Sequence, residues 1–395
     1  MKKAYLSLIY LIPALGLLAG LSLGITIPVF IIINLYLIKD DLKVSITNYK
    51  LECAFFLMMF LSCFWAASPA SSLISFTKTL LCFSAICILI AKRKYLLEKM
   101  NPQHNHYSVA LLLAVVLFYV ELISQGAINS WFRMNIQNKS SELFYLHNLD
   151  RGCSLLALFS WAVIAQLLSR HRFISAMLIY VLMMITLGVS DNLAGFLGFI
   201  AAGLVFVLTK YSCLRNPKFL SFVLGVAALL FIALSIKLNP YQISDDAKFL
   251  PLSAKHRLFI WDFTVEKAME KPILGWGHGF SRQIDVAKSE MVIYEGQSLS
   301  PFPTHPHNNV LQILLENGFV GLALYIMLLC KYLFVWSKSF NNNDGRGNNI
   351  QAAGYAFFTT FFVISMISFN MWQSWWVCSF LWVSLLFSFI RSMDK

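Results

Sequence analysis

The sequence predicts an all-α, polytopic membrane protein, a helical bundle of about twelve transmembrane helices with one large outer loop. Three observations carry that prediction. Of the 395 residues, 58% are hydrophobic and only 13% charged, against roughly 45–50% and 25% in a soluble domain, and a water-soluble fold could not hide so much apolar surface. Apolar runs near the ~20 residues needed to cross ~30 Å of hydrocarbon recur from end to end. The net charge of +12 punctuates those runs instead of gathering on one solvated face, which sets aside a nucleic-acid binder and a soluble enzyme on a single anchor.

Taken in order, the runs predict spans at 4–20, 23–38, 51–67, 71–91, 108–124, 151–168, 173–189, 193–209, 219–237, 318–337, 351–370 and 372–390. With Met1–Lys2–Lys3 in the cytoplasm, the cytoplasmic ends hold Lys39, Lys43, Lys92, Arg93, Lys94, Arg170, Arg172, Lys210, Lys331 and Lys338 among others. The short outer loops hold only Arg133, Lys139 and Arg151. Lys and Arg retained on the cytoplasmic side set orientation, so both termini are expected inside. The first run has a basic start but no small-residue cleavage site, and is expected to stay as a helix. Pro13 and Pro28 are tolerated in spans whose neighbours satisfy the freed backbone. This divides the chain into residues 1–237 with nine spans, an outer loop at 238–317, and three further spans over 318–395.

Eight scattered cysteines imply neither a disulfide framework nor a zinc knuckle, and read as small buried thiols. The loop is the outlier, because long loops in compact folds are usually functional or disordered and its mixed composition is not that of a disordered segment. Within it, Ala254 to Lys271 places Leu258, Phe259, Trp261, Phe263, Val265, Ala268 and Met269 as an amphipathic helix on the membrane face would. Pro272 and Gly275–Trp276–Gly277–His278–Gly279 end it.

Charge within hydrocarbon costs about 2.5–3.5 kcal/mol on insertion scales, so each such residue calls for a partner or a purpose. Lys78, in the fourth span, either snorkels to the outer interface or forms part of an anion site. Asp150–Arg151 is either a helix-start pair or a guanidinium beside the same site, and Asp191 reads as a turn residue. Arg257 opens the amphipathic stretch, where its planar fork suits a pyrophosphate or a lipid headgroup. His305 and His307 lie two residues apart around Pro306, with no further ligand at metal spacing. A single near-neutral histidine there would serve instead as a general base toward a sugar hydroxyl.

Two ordered motifs then give the chain a family likeness. His307–Asn308, nine residues, then Gly318–Phe319–Val320–Gly321–Leu322 reproduces H-N-x9-G-x-x-G-L. About 50 residues upstream, Arg257 and Trp261 precede Lys271–Pro272–Ile273–Leu274–Gly275–Trp276–Gly277. In both, the sequence resembles the O-antigen ligase and polymerase superfamily, residue by residue over about 254–322 and in architecture over most of the chain.

The resemblance implies a GT-C-like glycosyltransferase of the bacterial inner membrane. It would move a glycan from undecaprenyl pyrophosphate to an acceptor at the periplasmic face, without a metal or other cofactor. His307 would activate the acceptor hydroxyl and Arg257 hold the pyrophosphate, with Lys78, Arg151, His305 and Asn308 contributing to substrate binding. Many members carry Ser-Arg-Gly where this chain has Ser190–Asp191–Asn192, so one donor-site cation is expected to come from elsewhere. A lipid pyrophosphate is already a good leaving group, and the protein need add only cations and a base. With no carboxylate pair to support a retaining double displacement, direct attack would invert the anomeric carbon. The leading expectation is ligation of O-antigen to lipid A core, with O-antigen polymerase and protein O-oligosaccharyltransferase as alternatives. A lipid-glycan transporter would instead line a path through the middle of the bundle with charge.

Overall fold

The computed structural model describes residues 2–29, 49–91, 106–136, 138, 146–211, 215–237, 239–246, 248–286, 291–340 and 345–392. Its elements follow the apolar runs. Helix α1 (Lys2–Ala19) bends through a 3₁₀ turn at Gly20–Ser22 into a further helical stretch that reaches residue 29, so most of the expected 23–38 span lies outside the described residues. Then come α2 (Lys50–Ser62), α3 (Pro69–Ala91), α4 (His106–Ile123), the short α5 (Ala127–Asn135), α6 (Asp150–Ser169), α7 (Phe173–Val189), α8 (Leu193–Tyr211) and α9 (Pro217–Lys237). The segment between α9 and the next long helix holds α10 (Pro240–Asp246), α11 (Leu252–Met269) and a hairpin of β1 (Val292–Tyr294) with β2 (Gln297–Leu299), antiparallel with Ile293 opposite Ser298. Helices α12 (Asn309–Phe340), α13 (Gly345–Ile367) and α14 (Ser374–Ser392) follow.

Among the described residues, seven helical stretches are long and apolar enough to cross a membrane, and α7 and α14 are shorter apolar helices. The protein is therefore an all-α integral membrane protein. Helix α6 is its axis: every residue from Gly152 to Ser169 is buried, as a helix apolar on all sides must be. Helices α1, α4, α7, α13 and α14 pack around it, and the Trp161 indole donates to Thr360 Oγ1 of α13 at 2.8 Å. A second core joins α2, α9, α11 and α12 to the segment between α9 and α12.

Two expectations are corrected here. Lys331 is not a loop cation. It lies inside α12 and pairs with the buried Glu52 carboxylate of α2 at 2.6 and 2.7 Å, with the Tyr332 hydroxyl donating to the same group, which satisfies a charge that would otherwise be costly in hydrocarbon. Helix α11 does not lie with its apolar face on the membrane, because Leu258, Phe259, Ile260, Val265 and Ala268 are buried and the helix packs on α9 and α12. Those helices offer it apolar partners such as Phe231, whose ring meets Trp261 at 5.1 Å.

The feature that positions the segment between α9 and α12 is a break in α12. Gly318 has φ 63° and ψ −167°, a region open essentially to glycine alone. A continuous helix would bond the amides of Phe319 and Val320 to the carbonyls of Leu315 and Glu316. The break frees all four groups, and the loop takes them: Phe319 N–H donates to Pro272 O at 2.8 Å and Val320 N–H to Ile273 O at 3.2 Å. In return Trp276 N–H donates to Leu315 O at 2.9 Å and Gly277 N–H to Glu316 O at 2.8 Å. Two intrahelical bonds are thus exchanged for four that fasten the loop, as a buried backbone requires. A Cβ on Gly275 would overlap the Glu316–Asn317 backbone, and one on Gly318 would strike the Ile273 carbonyl.

From Phe319 to Phe340, α12 runs for about 33 Å at 1.5 Å per residue, enough for ~30 Å of hydrocarbon. The Gly318 boundary of the expected span is thus a kink, and the helix itself starts at Asn309.

Gly318→Ala is expected to cost at least about 2 kcal/mol, from the disallowed backbone and the overlap with Ile273. Gly225→Ala, in α9 with nothing near its Cβ position, is expected to leave stability unchanged or slightly raised. Thermal unfolding of the two variants in detergent measures the difference.

Candidate active site

Above the kink, the first turns of α12 form one wall of a polar site. Asn308 caps the helix: its Oδ1 accepts from Leu311 N–H at 3.0 Å, and its Nδ2 donates to Met366 O at 3.1 Å. This ties the start of α12 to the end of α13. The residue before it, His307, sits at φ 51°, a left-handed conformation uncommon for a residue with a side chain. Two contacts hold it there. The Trp261 indole of α11 donates to Pro306 O at 3.0 Å, and His307 Nδ1–H donates to the Ser368 carbonyl, in the α13–α14 connection, at 2.5 Å.

That second bond fixes the tautomer. With the proton on Nδ1, the Nε2 lone pair is left to accept, and it makes no hydrogen bond among the described residues. His305 packs against the same ring, tilted by 38° with centroids 4.1 Å apart. Its nitrogens are committed, Nε2 to Ser368 O at 3.4 Å and Nδ1 to the Thr304 hydroxyl at 2.9 Å.

Burial pulls the His307 imidazole down from its ordinary 6.5 to about 4, against the upward pull of the Ser368 carbonyl and with help from Arg257 and His256. His305 falls to about 3, again mainly by burial, with His307, Arg282 and Arg257 adding to it. Both rings are neutral at physiological pH.

Arg257 lies on α11 one turn before Trp261. One guanidinium nitrogen donates to Ser253 O at 3.1 Å, while its buried Nε has no partner. Burial lowers its pKa and the Asp150 carboxylate, at the start of α6, opposes that fall. Asp150 Oδ1 is likewise buried without a partner. The structure thus brings Arg257, His305, His307 and Asn308 together, with Asp150 close enough for its charge to act on Arg257.

The other two candidate residues make no hydrogen bond to these groups, although the charges of Arg151 and Arg257 both act on Asp150. Lys78 is exposed on α3 and makes none of these contacts. Arg151 is exposed beside Asp150, its alkyl stem packed over Gly20 of the turn after α1. Asn192, next to the Asp191 that stands where the family's arginine would, caps α8 by accepting from Gly195 N–H at 2.8 Å and donates to Asp150 O and Ser154 Oγ at 2.8 and 2.7 Å. Lys255 is structural, bonded to Glu295 at 2.8 Å, and Lys267 and Lys271 flank the Trp276 ring at 5.0 and 3.8 Å.

Sequence reasoning missed two features. Arg282 is exposed near enough for its charge to act on both His305 and His278. Glu316, fully buried, accepts from four donors: Gly279 N–H at 2.9 Å, Ser281 Oγ at 2.5 Å, Gln312 Nε2 at 3.0 Å and Trp372 Nε1 at 2.6 Å. Its place inside the H-N-x9-G spacing was the available signal. His278, with Nδ1 3.9 Å from Glu316, is buried and its pKa lowered by that burial.

A family model described as O-antigen ligase matches residues 178–326, from within α7 to within α12. A Rickettsia typhi protein named "putative polysaccharide ligase" is 34% identical over 100% of this chain and 99% of its own length. The chain belongs to the O-antigen ligase family. A Rickettsia felis relative of the same name is 35% identical over 98% of this chain and 97% of its own length. A "ComP-specific O-oligosaccharyltransferase" of Acinetobacter baylyi is 30% identical over 29% of this chain and 20% of that protein. As an O-antigen ligase family member, the protein is a ligase-type enzyme acting on polysaccharide.

The titration of His307 gives a signed expectation. If the neutral ring is the active form, the rate holds as pH falls past 6.5 and drops only near 4, where the ring gains its proton. Stability falls earlier: the unfolded ring binds protons between about 6.5 and 4 that the folded ring does not, so stability is lost as pH drops through that window. Parallel pH profiles of ligation rate and thermal midpoint check both.

Proposed function

We propose that this O-antigen ligase family member transfers a glycan from an undecaprenyl-pyrophosphate carrier to lipid A core at the periplasmic face of the bacterial inner membrane, with inversion at the anomeric carbon. The observation that carries the reading is the neutral His307 imidazole, its Nδ1–H held by Ser368 and its Nε2 lone pair uncommitted, within electrostatic reach of Arg257. In this scheme Arg257 grips the pyrophosphate, and its unpartnered Nε is a donor awaiting an anion. The acceptor hydroxyl gives its proton to His307 Nε2 as its oxygen bonds to the anomeric carbon, and the bond to the pyrophosphate oxygen breaks on the opposite side. The guanidinium offsets the charge that collects on the departing phosphate. Arg282 is the nearby cation best suited to take the role of the family arginine that Asp191 replaces here. Asn308, bonded at both ends of its amide, acts by holding His307 in place. Lys78 and Arg151 serve the carrier headgroup or its lipid surroundings.

The distribution of Lys and Arg supports cytoplasmic termini and with them a loop and site on the far side, and the inner-membrane location is carried over from the family. A protein acceptor is the second reading, favoured by the partial likeness to the Acinetobacter enzyme.

Purified protein given a polyprenyl-pyrophosphate glycan with lipid A core is expected to extend the core. Extension only of a second carrier-linked unit would make it a polymerase, and extension only of a protein acceptor an oligosaccharyltransferase. His307→Ala and Arg257→Ala are each expected to cut the rate by about 10²–10⁴-fold while the protein still inserts and remains folded. Wild-type rates in both variants would remove the mechanism.

A further inference from the structure

Glu316 lies outside the reacting groups, yet its contacts converge on the carbonyl that orients His307. The carboxylate accepts both Gln312 Nε2–H at 3.0 Å and Trp372 Nε1–H at 2.6 Å. Turning the Gln312 amide NH₂ toward Glu316 leaves Gln312 Oε1 pointing the other way, where it accepts Met371 N–H at 3.0 Å. Met371 and Trp372 belong to the α13–α14 connection, the segment that also presents the Ser368 carbonyl to His307 Nδ1–H. Asn308 holds the last turn of α13, just before that connection, through Met366 O. The chain is therefore held at the end of α13, at 366, and within the connection at 371 and 372, and the carbonyl between those points sets the tautomer.

We infer that Glu316 is a positioning residue for the base: through Gln312 and Trp372 it holds the α13–α14 connection so that the Ser368 carbonyl keeps His307 in the Nδ1–H form, with Nε2 directed at the acceptor. The inference rests on the reading of His307 as base. A carboxylate suits the task because it accepts from several donors at once, and only an acceptor-only group turns the amide of Gln312 one way. Facing His307 are Arg257 and His256 of α11 and His305 of its own segment. Facing Glu316 are His278 of the loop and Cys63 after α2.

The test compares Trp372→Phe, which keeps an aromatic ring against His278 and removes one N–H, with Glu316→Gln. Steady-state transfer is measured on purified protein, with the thermal midpoint as a check on folding. Both variants are expected to lower kcat about tenfold or more with the donor KM unchanged. The acid limb of the rate profile should move to lower pH, because the Ser368 carbonyl holds the His307 pKa up. In a His307→Ala background the same substitutions should leave the residual rate unchanged. Wild-type kcat in a folded Trp372→Phe variant overturns the relay, as does a loss confined to KM or an undiminished loss in the His307→Ala background. Full activity of His307→Ala alone overturns the base assignment, and that outcome is distinguishable from failure of the relay.

Discussion

The site depends on a trade of backbone hydrogen bonds at one glycine. At Gly318 the helix gives up two of its own bonds, and the loop from Pro272 to Gly277 supplies four in their place. Such an exchange is tolerated only where every freed group finds a partner. Both halves of the joint are main chain, so its geometry leaves no room for a Cβ on Gly275 or Gly318. Everything upstream in the loop inherits its position from this joint: α11 ends at it, and Arg257 and Trp261 are carried on α11.

Around the joint the protein handles charge in two ways. Glu316 is kept as a buried acceptor by surrounding it with four donors, since a buried carboxylate lacking such partners would be strongly destabilising. The histidines are treated oppositely. Burial makes protonation of His305 and His307 costly, and one carbonyl on His307 decides which nitrogen carries the proton. A strained backbone at His307 is the other cost of this arrangement, of order 1–3 kcal/mol, and it persists because the contacts through Trp261 and Ser368 over-determine the residue.

Much of this was legible in the linear chain, for a physical reason: crossing hydrocarbon demands long apolar runs, and those runs coincide with α3, α4, α6, α7, α8, α9, α13 and α14. The two glycine motifs were visible because only glycine fits where backbones touch. Less legible were contacts made across sequence distance. Asn309, Gln312, Glu316 and Asn317 read as loop polarity, and only the folded chain reveals them as a buried helical face. Lys331 read as a boundary cation because Glu52 lies far away in sequence. The apolar stripe of α11 was identified, but a stripe does not declare whether lipid or protein covers it. Nor does any local pattern link His307 to a backbone oxygen at residue 368, since a carbonyl carries no side-chain signature.

The α13–α14 connection has a consequence for how such a gene can fail. The family match closes at residue 326, whereas the oxygen that orients the imidazole is contributed at residue 368. A frameshift between residues 326 and 368 would preserve every residue of the matched region and still remove the segment that holds the imidazole. Intact motifs in a shortened version are thus no guarantee of a competent enzyme.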